Sequence, residues 1–304
     1  MNISLIGLGA IGASYAALLN VCSQVKLTVI LDAHRLKSYA DQPFTVNGVV
    51  QNFHYLSADA KTEPADLVLV AVKYNALPDA IANLKHHVGE NTVIMSLLNG
   101  IDSEEILGAA FGMDKMLYSL CIGIDAQRAE RTVSYGSVGK ILFNEKNGEC
   151  SPRVQKIAET FTAAGVPFEN PIDMYKQLWY KFMINVCANQ TTAILGANYR
   201  HINTPDGHTI MEMVADEVRS VAAKKGVSLT DDDYKSWLNI LNTMIPENKT
   251  SMHQDMDACR RTEVDMLAGV IRKLGSELGV PTPHNDMLYH MIKLKEQMNA
   301  LKNR

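Results

Sequence analysis

Apolar runs of strand length dominate the first half of the chain. Five continuous runs predict strands, at residues 2–6, 26–31, 66–72, 92–98 and 116–124. The third run, DLVLVAV, shows no polar alternation, which is typical of a parallel strand that is buried on both faces. Segments with helical spacing follow the first and third runs, so the pattern predicts a parallel sheet with crossover helices.

Alternating segments add antiparallel pairing. Asn47-Gly48 lies between alternating residues and predicts a β-hairpin. The alternating residues 132–144 predict antiparallel members near the edge of the same sheet, with glycines marking bends. An amphipathic helix at 151–164 and a short strand at 166–168 complete this half.

Helical periodicity replaces the strand pattern after residue 170. Helices are predicted at 174–197, 205–225, 231–244, 251–278 and 285–302. We therefore predict an α/β chain, with an N-terminal doubly wound Rossmann-type domain (1–170) followed by an all-α C-terminal domain (171–304). The cleft between two such domains is the default position for an active site.

The predicted helix 174–197 carries a polar stripe on an apolar surface. Lys181, Asn185 and Asn189 are four residues apart, so successive side chains drift only about 40° round the helix axis. Burying an ammonium and two carboxamides is unfavourable unless they are hydrogen-bonded. The stripe predicts a wet active-site cleft, or alternatively a lysine that reaches the surface beside two structural asparagines.

A glycine-rich turn joins the first strand to the first helix. It has the pattern GxGxxG and consists of Gly7, Leu8, Gly9, Ala10, Ile11 and Gly12. The glycines allow a tight turn, close approach of a pyrophosphate and close helix packing, while the helix N-terminus offers N–H groups to phosphates. Asp32 ends the second strand about twenty residues later, at the spacing of a ribose-binding acid. The turn therefore predicts a dinucleotide site.

Two further polar residues follow buried strands. Lys73 follows the run at 66–72, and Asn99 follows the run at 92–98. Ligands of open α/β sheets bind at the carboxyl ends of the strands, so we expect both residues near the dinucleotide. The alternatives are a solvated strand end for Lys73 and turn chemistry for Asn99, which precedes a glycine.

Composition limits the classes of partner. A net charge of −4 over 304 residues gives no reason to expect nucleic acid or an anionic membrane surface. No apolar run approaches the roughly 18 residues of a membrane helix, and the chain opens on a strand without a secretion signal. The five cysteines lack metal-binding spacing and predict reduced thiols, no metal site and a cytoplasmic protein.

Taken together, the motifs resemble one family. GLGAIG, the VAVK that ends at Lys73, the LLNG around Asn99, WYKFMINVCANQTTAI and ENKTSMHQDMDACRRTEVD are similar to the ketopantoate reductase family, the 2-dehydropantoate 2-reductases of pantothenate biosynthesis. The likeness covers the whole chain and keeps the spacing of the motifs. It implies hydride transfer from a nicotinamide dinucleotide to a small 2-oxo acid.

The resemblance also implies residue roles. Lys181 matches the proton donor to the substrate carbonyl, and Glu263 matches the glutamate that holds the substrate. Lys73 and Asn99 match residues at the nicotinamide end of the cofactor. The set implied to bind substrate is Asn99, Asn185, Asn189, Asn248 and Ser251.

Physical alternatives remain for the C-terminal residues. One long helix at 251–278 places Ser251 and Glu263 within a turn of one face, where they can meet the Lys181 stripe. Glu263 is instead a surface ion-pair partner if it joins the neighbouring arginines. Ser251 is instead an N-cap, or both a cap and a ligand.

Two alternatives to 2-dehydropantoate reduction stay open. The same residues fit another branched or hydroxylated 2-oxo acid, because sequence does not give the size of the pocket. A non-catalytic NAD(P)-sensing protein is the alternative from another class. The oligomeric state is predicted as monomer or homodimer.

The choice of dinucleotide depends on the end of the second strand. The family generally uses NADP(H) and places a basic residue there for the 2′-phosphate. This chain has Asp32, which favours the ribose hydroxyls of NAD(H). Arg35 argues for NADP(H) if it folds over the ribose, so the sequence tilts only weakly towards NAD(H).

Overall fold

The computed structural model describes residues 1–40 and 42–302 and divides into two compact units, Met1–Tyr175 and Lys176–Arg304. Within the described residues every strand lies in the first unit, and the second unit is helical. The predicted fold class, an N-terminal Rossmann-type sheet followed by a helical region, is confirmed. The last two residues of the predicted helical domain, 303 and 304, lie outside the described residues.

Twelve strands occur in the described part of the chain. They are β1 (Asn2–Ile6), β2 (Lys26–Leu31), β3 (Phe44–Val46), β4 (Val49–Gln51), β5 (Tyr55–Ser57), β6 (Leu67–Val70), β7 (Val93–Ser96), β8 (Met116–Ile124), β9 (Gln127–Ala129), β10 (Thr132–Ser134), β11 (Val138–Asn144) and β12 (Phe168–Glu169). Eight of them form the main sheet in the order β12-β11-β8-β7-β6-β1-β2-β5. Across the sheet, the six strands β8, β7, β6, β1, β2 and β5 are all parallel to their neighbours, which gives the doubly wound order. The strand β11 pairs with the other side of β8 and runs antiparallel to it.

Thirteen α-helices occur in the same described residues. They are α1 (Ala10–Asn20), α2 (Ala33–Ala40), α3 (Leu77–Leu84), α4 (Ser103–Phe111), α5 (Pro152–Ala164), α6 (Met174–Ile184), α7 (Gln190–Leu195), α8 (Tyr199–Ile202), α9 (Pro205–Lys224), α10 (Asp231–Leu241), α11 (Ser251–Asp257), α12 (Ala268–Leu278) and α13 (Pro283–Lys302). Short 3₁₀ turns at Tyr74–Ala76 and Met113–Lys115 precede α3 and β8.

The main sheet is buried on both faces, as the unbroken apolar run at 66–72 predicts. Leu67 and Leu69 of β6 belong to a core that also contains residues of α1 and α5. Val68 and Val70 point to the opposite face, into a second core with residues of α3 and α4. Because successive side chains of a strand alternate between faces, both sets must be apolar when helices cover both faces.

A separate four-stranded sheet was not predicted. Its order is β4-β3-β10-β9, and β3 pairs with β10 in parallel. The hairpin of β3 and β4 is confirmed, with Asn47 and Gly48 at φ +47° and +76°. The prediction that all of residues 132–144 extend the main sheet is wrong for β10, which lies in the second sheet. Only β11 extends the main sheet.

Side-chain caps set several helix starts in the second unit. Thr204 caps α9 by accepting from the Gly207 N–H, and Thr230 caps α10 in a reciprocal capping box with Asp233. Gly279, in the left-handed region, ends α12. The prediction of one helix over 251–278 is wrong, because ten residues without helical structure separate α11 from α12.

Candidate active site

The glycine-rich turn packs directly against the end of β6. Gly7 has a φ of +103°, and a Cβ placed there would lie 2.5 Å from the Ala71 carbonyl. A Cβ at Gly12 would overlap the carbonyl oxygen of Gly7. Both positions therefore require glycine for packing within the protein itself.

Gly9 differs, because none of the residues that the structure describes requires a glycine there. A Cβ at Gly9 would meet only the Ala71 oxygen, at an ordinary 3.8 Å, and the backbone is extended. Gly9 is the N-cap of α1, whose first turn consists of small and apolar residues. A small residue at this point leaves the helix N-terminus open to an anion, so the turn fits the pyrophosphate of a dinucleotide.

Asp32 lies between the end of β2 and the start of α2. Its Oδ1 accepts the backbone N–H of Arg35 at 2.7 Å, which caps α2. Its Oδ2 lies 3.4 Å from the Arg35 Nε; Arg35 is exposed and Asp32 is half-buried. The carboxylate at the ribose position therefore has its own cationic neighbour, one helix turn away.

The loops that carry Lys73 and Asn99 are tied together. Lys73 is exposed and precedes the 3₁₀ turn at Tyr74–Ala76, while Asn99 is half-buried in the loop between β7 and α4. The Tyr74 hydroxyl donates to Asp102 Oδ2 at 2.6 Å, which links one loop to the other. The structure thus brings these two predicted residues to neighbouring loops at the carboxyl edge of the parallel strands.

A buried polar cluster lies under the Asn99 loop. Ser96 and Ser103, at the two ends of this loop, share a hydrogen bond of 2.7 Å, and Ser103 donates to Glu104 Oε2 at 2.9 Å. Ser119 of β8 donates to the Ser96 carbonyl at 2.6 Å. Burial raises the pKa of Glu104 to about 7, because the charged carboxylate is poorly solvated there.

The predicted helix 174–197 is not a uniform α-helix. Residues Asn185–Asn189 form a π-helical segment between α6 and α7, and α7 ends at Leu195 before Gly196 in the left-handed region. Asn185 and Asn189 are the first and last residues of that segment. Single π-turns inside helices often occur at functional sites, because they redirect side chains.

Side chains of the next three residues stabilise the π-helical segment. They donate to carbonyls one turn back, from Gln190 to Val186 (2.8 Å), from Thr191 to Cys187 (2.7 Å) and from Thr192 to Ala188 (2.8 Å). Where the hydrogen bonding changes from α to π, these carbonyls lose their usual backbone N–H donors. The side-chain donors offset that loss.

The segment that carries Asn185 and Asn189 lies beside the helix that begins with Ser251. The π-helical segment packs against α9 and α11. Thr192 and Thr250 share a hydrogen bond of 2.6 Å between their hydroxyls, which fixes the start of α11 beside α7. Asn189 is buried, whereas Lys181 and Asn185 are half-buried. The structure therefore brings Asn185, Asn189 and Ser251 onto packed elements.

The alternative that Ser251 is the N-cap of its helix is wrong. The N-cap is Thr250, whose hydroxyl accepts from the His253 N–H, and Ser251 is the first helical residue. Ser251 is exposed, so its hydroxyl is not used as the cap. Asn248 is exposed in the preceding loop, where its carbonyl accepts the Tyr199 N–H.

Glu263 lies in the turns between α11 and α12 and not on a helix. Cys259, at φ +52°, marks the departure from α11, so the expected single helical face with Ser251 does not exist. The adjacent arginines pair with aspartates: Arg260 with Asp255 at 2.8 Å, and Arg261 with Asp265 at 2.9 Å. Glu263 itself is half-buried.

The remaining features of the described residues concern metals, thiols and membranes. Residues 1–40 and 42–302 contain no group of three or more metal-ligating side chains. All five cysteines are free thiols, and burial raises the pKa of Cys187 to about 12. Within the same described ranges, no helix combines the length and apolar character that a membrane crossing needs.

Family models match both halves of the chain. The model described as Ketopantoate reductase PanE/ApbA matches residues 3–148, and the model of its C-terminal part matches residues 173–296. The chain belongs to the ketopantoate reductase family. It is accordingly an oxidoreductase with a Rossmann-type fold for a nicotinamide dinucleotide.

Relatives and solved structures cover the chain almost end to end. A 2-dehydropantoate 2-reductase of Aquifex aeolicus is 29% identical, with 98% of each chain covered. A ketopantoate reductase structure from Ralstonia eutropha superposes with a TM-score of 0.85 at 25% identity, covering 99% of this chain and 100% of that one. D-Mandelate dehydrogenase in complex with NADH and anilino(oxo)acetate has a TM-score of 0.88, 21% identity and 99% of each chain covered. At that identity the last likeness concerns the fold alone.

One residue that contacts the glycine-rich turn was not indicated by the sequence. Arg128, on β9, donates to the Leu8 carbonyl of the glycine-rich turn. It lies 120 residues further along the chain, in a strand of three residues that was not predicted. No short motif marks such a contact, because it depends on the second sheet being folded.

Proposed function

We propose that this ketopantoate reductase family member reduces 2-dehydropantoate to pantoate. The observation that carries the proposal is the family match in both halves, together with near-complete coverage of a curated 2-dehydropantoate 2-reductase at 29% identity. The dinucleotide binds at the Gly7–Gly12 turn, where Gly9 and the start of α1 fit a pyrophosphate.

The two halves take different roles in this proposal. Residues 1–170 form the dinucleotide-binding domain, and residues 171–304 supply the substrate-binding and catalytic side chains. The division of the fold at Tyr175 supports this assignment. Lys73 and Asn99 serve the nicotinamide end, because their linked loops follow β6 and β7 at the carboxyl edge of the sheet.

Lys181 is the proposed proton donor. The bound nicotinamide supplies the hydride, and negative charge then develops on the former carbonyl oxygen of the substrate. The Lys181 ammonium stabilises that charge and delivers a proton to it. Glu263 accepts a hydrogen bond from the substrate hydroxyl. The residues proposed to bind the substrate are Asn99, Asn185, Asn189, Asn248 and Ser251.

A steady-state panel of 2-oxo acids tests the substrate. The panel contains 2-dehydropantoate, its analogue without the terminal hydroxyl, and phenyl- and alkyl-substituted 2-oxo acids. We expect the highest kcat/KM for 2-dehydropantoate. A higher value for a simpler acid contradicts the pathway assignment and supports reduction of another 2-oxo acid by the same residues. Dinucleotide binding without turnover of any acid supports the non-catalytic NAD(P)-sensing alternative.

We propose NAD(H) as the preferred dinucleotide. The support is Asp32 at the end of β2, because a carboxylate accepts hydrogen bonds from ribose hydroxyls and repels a 2′-phosphate. The Arg35 guanidinium beside Asp32 is the feature that favours NADP(H). Monomer or homodimer remains a prediction for the oligomeric state.

A further inference from the structure

The second sheet brings an arginine to the glycine-rich turn. Arg128 is exposed on β9, yet its guanidinium is held from several sides. Its Nη1 donates to the carbonyl oxygen of Leu8, and its Nη2 donates to the Tyr39 hydroxyl at 2.9 Å. Its Nε donates to the Glu130 carbonyl at 2.6 Å, and the group lies 5.6 Å from the centre of the Phe44 ring.

This geometry is specific to the guanidinium group. Within the described residues these bonds engage three of the five N–H groups, one on each nitrogen. An exposed arginine ordinarily keeps much rotamer freedom, so holding it in one conformation needs several such contacts. Leu8 lies between Gly7 and Gly9, and the positive charge is therefore fixed beside the backbone that a pyrophosphate approaches.

We propose that Arg128 is a dinucleotide-binding residue of this chain. It holds the Gly7–Gly12 turn in place through the Leu8 carbonyl, and it places a positive charge beside the pyrophosphate site. In the first respect it is a positioning residue, and in the second it acts on the ligand directly. The proposal rests on the dinucleotide site of the proposed function, but it does not depend on which 2-oxo acid is the substrate.

Arg131 provides a matched control in the next strand connection. Its guanidinium lies 4.9 Å from the centre of the Tyr39 ring and donates to Ser38 Oγ at 2.8 Å. It also donates to the Gln42 carbonyl at 3.1 Å. Both arginines contact Tyr39 of α2, and Arg128 also contacts the glycine-rich turn. The two arginines differ mainly in whether they contact the phosphate-binding backbone.

The experiment compares Arg128→Met, Arg128→Lys and Arg131→Met with the parent chain. Dinucleotide Kd is measured by fluorescence titration with NADH and NADPH, and Kd for ADP and adenosine by calorimetry. Loss of a charge-assisted contact predicts that Arg128→Met raises the Kd of both dinucleotides and of ADP by roughly 10- to 100-fold. The adenosine Kd should not change, because adenosine carries no phosphate.

Three further readouts separate a binding role from a structural one. Arg128→Lys should give an intermediate Kd, since lysine keeps the charge but not the planar fork. Raising the salt concentration should weaken dinucleotide binding more steeply in the parent than in Arg128→Met. In Arg128→Met the KM for the dinucleotide should rise by a larger factor than kcat falls, because Arg128 acts on binding more than on the chemical step.

The proposal is overturned by an unchanged ADP Kd in a folded Arg128→Met variant. It is also overturned if adenosine and ADP weaken equally, or if Arg131→Met raises the ADP Kd as much as Arg128→Met does. Urea unfolding of each variant identifies a merely misfolded protein, and Arg128→Lys then carries the test. If the parent binds ADP but turns over no 2-oxo acid, the proposed function fails while the proposal for Arg128 still stands.

Discussion

Lys181 is the residue on which the proposed chemistry depends most. Lys181→Ala should lower kcat by about 10² or more while leaving the fold and the dinucleotide Kd unchanged, because the alkoxide then loses its proton donor. Lys181→Arg should also be slow, since a guanidinium keeps the charge but does not release a proton near neutral pH. Steady-state and single-turnover kinetics measure both effects.

Lys176 is the control for that experiment. It lies on the same helix, and its Nζ is 3.0 Å from Asp233 Oδ2 in a partly exposed ion pair. Lys176→Ala should therefore change stability by no more than about 1 kcal/mol and leave kcat near the parent value. Near-normal turnover in Lys181→Ala would remove Lys181 as the acid.

Glu263 separates substrate binding from surface pairing. Glu263→Ala should mainly raise KM for 2-dehydropantoate, because the hydroxyl of the substrate loses its acceptor. Arg261→Ala removes a neighbouring ion pair, Arg261 to Asp265 at 2.9 Å, and should leave KM unchanged. If Glu263→Ala shifts only the melting temperature, Glu263 is structural after all.

Asp32 and Arg35 are the residues on which the proposed dinucleotide preference depends. We expect a higher kcat/KM with NADH than with NADPH, because two unit charges about 4 Å apart already repel by roughly 4 kcal/mol at a protein-surface dielectric. Asp32→Asn should shift the preference towards NADPH, and Arg35→Ala should shift it towards NADH. A parent preference for NADPH of about tenfold would mean that Arg35 governs the site.

At the scale of elements, the sequence predicts a helix best when its ends carry chemical signals. Thr230 and Ser151 cap their helices as expected for such residues, and Gly165 ends α5. The failure at 251–278 has a physical cause. Val264, Met266 and Leu267 are buried in turns, so apolar periodicity continued through a segment that is not helical.

The π-helical segment and the second sheet were beyond prediction for different reasons. The π turn depends on side-chain donors such as Gln190 and Thr192, which are equally compatible with an ordinary α-helix. The β3–β4 hairpin was predicted, but β9 and β10 have three residues each, which is too short for alternation to indicate which sheet they join. Their pairing joins segments nearly 90 residues apart, such as Thr45 and Thr132.

The polar cluster between β7 and α4 predicts a pH-dependent stability. Glu104 has a raised pKa of about 7 in the folded state and an ordinary value near 4.5 when unfolded. Below pH 4.5 Glu104 is protonated in both the folded and the unfolded state, and its stabilising contribution to the fold is fully present. As pH rises towards 7 the unfolded state loses its proton first, so the stabilising contribution falls, by at most about 3 kcal/mol.

Glu104→Gln isolates this contribution from the other acids. The amide resembles the neutral acid and does not titrate, so the variant should gain stability relative to the parent between pH 5 and pH 8. Urea unfolding at pH 5 and pH 8 measures the difference in free energy of unfolding between the parent and the variant. Glu145, which Arg153 holds ionised with a lowered pKa, provides the opposite case. If the free energy of unfolding changes with pH by the same amount in the parent and in Glu104→Gln, the burial of Glu104 does not cause the pH dependence.

At the scale of the whole molecule, the order of elements was more predictable than the site. The GxGxxG turn, the apolar runs and the change to helical periodicity together specify a parallel sheet followed by helices. The catalytic and binding roles of Lys181 and Glu263 instead came from a family resemblance. Physical reasoning alone left each with a structural alternative, because spacing does not show which polar side chains a folded chain brings together.

The division at Tyr175 leads to the last prediction. A fragment of residues 1–175 contains both sheets and both apolar cores of the first unit, so it should unfold cooperatively on its own. It also retains Gly7, Gly9, Gly12 and Arg128, and should therefore bind ADP with a Kd within about tenfold of the full chain, or roughly 1.4 kcal/mol. Thermal unfolding and calorimetry measure the two properties.

A fragment of residues 1–150 is the matched control. It keeps the glycine-rich turn but lacks α5, whose Val154, Ile157 and Phe161 are buried in the same core as β6. Phe161 packs edge-on against Phe143 of β11 with ring centres 5.5 Å apart, and loss of one such side chain alone costs about 3–5 kcal/mol. The shorter fragment should neither unfold cooperatively nor bind ADP. If residues 1–175 fail in the same way, the first unit is not an independent domain and dinucleotide binding needs the helical half.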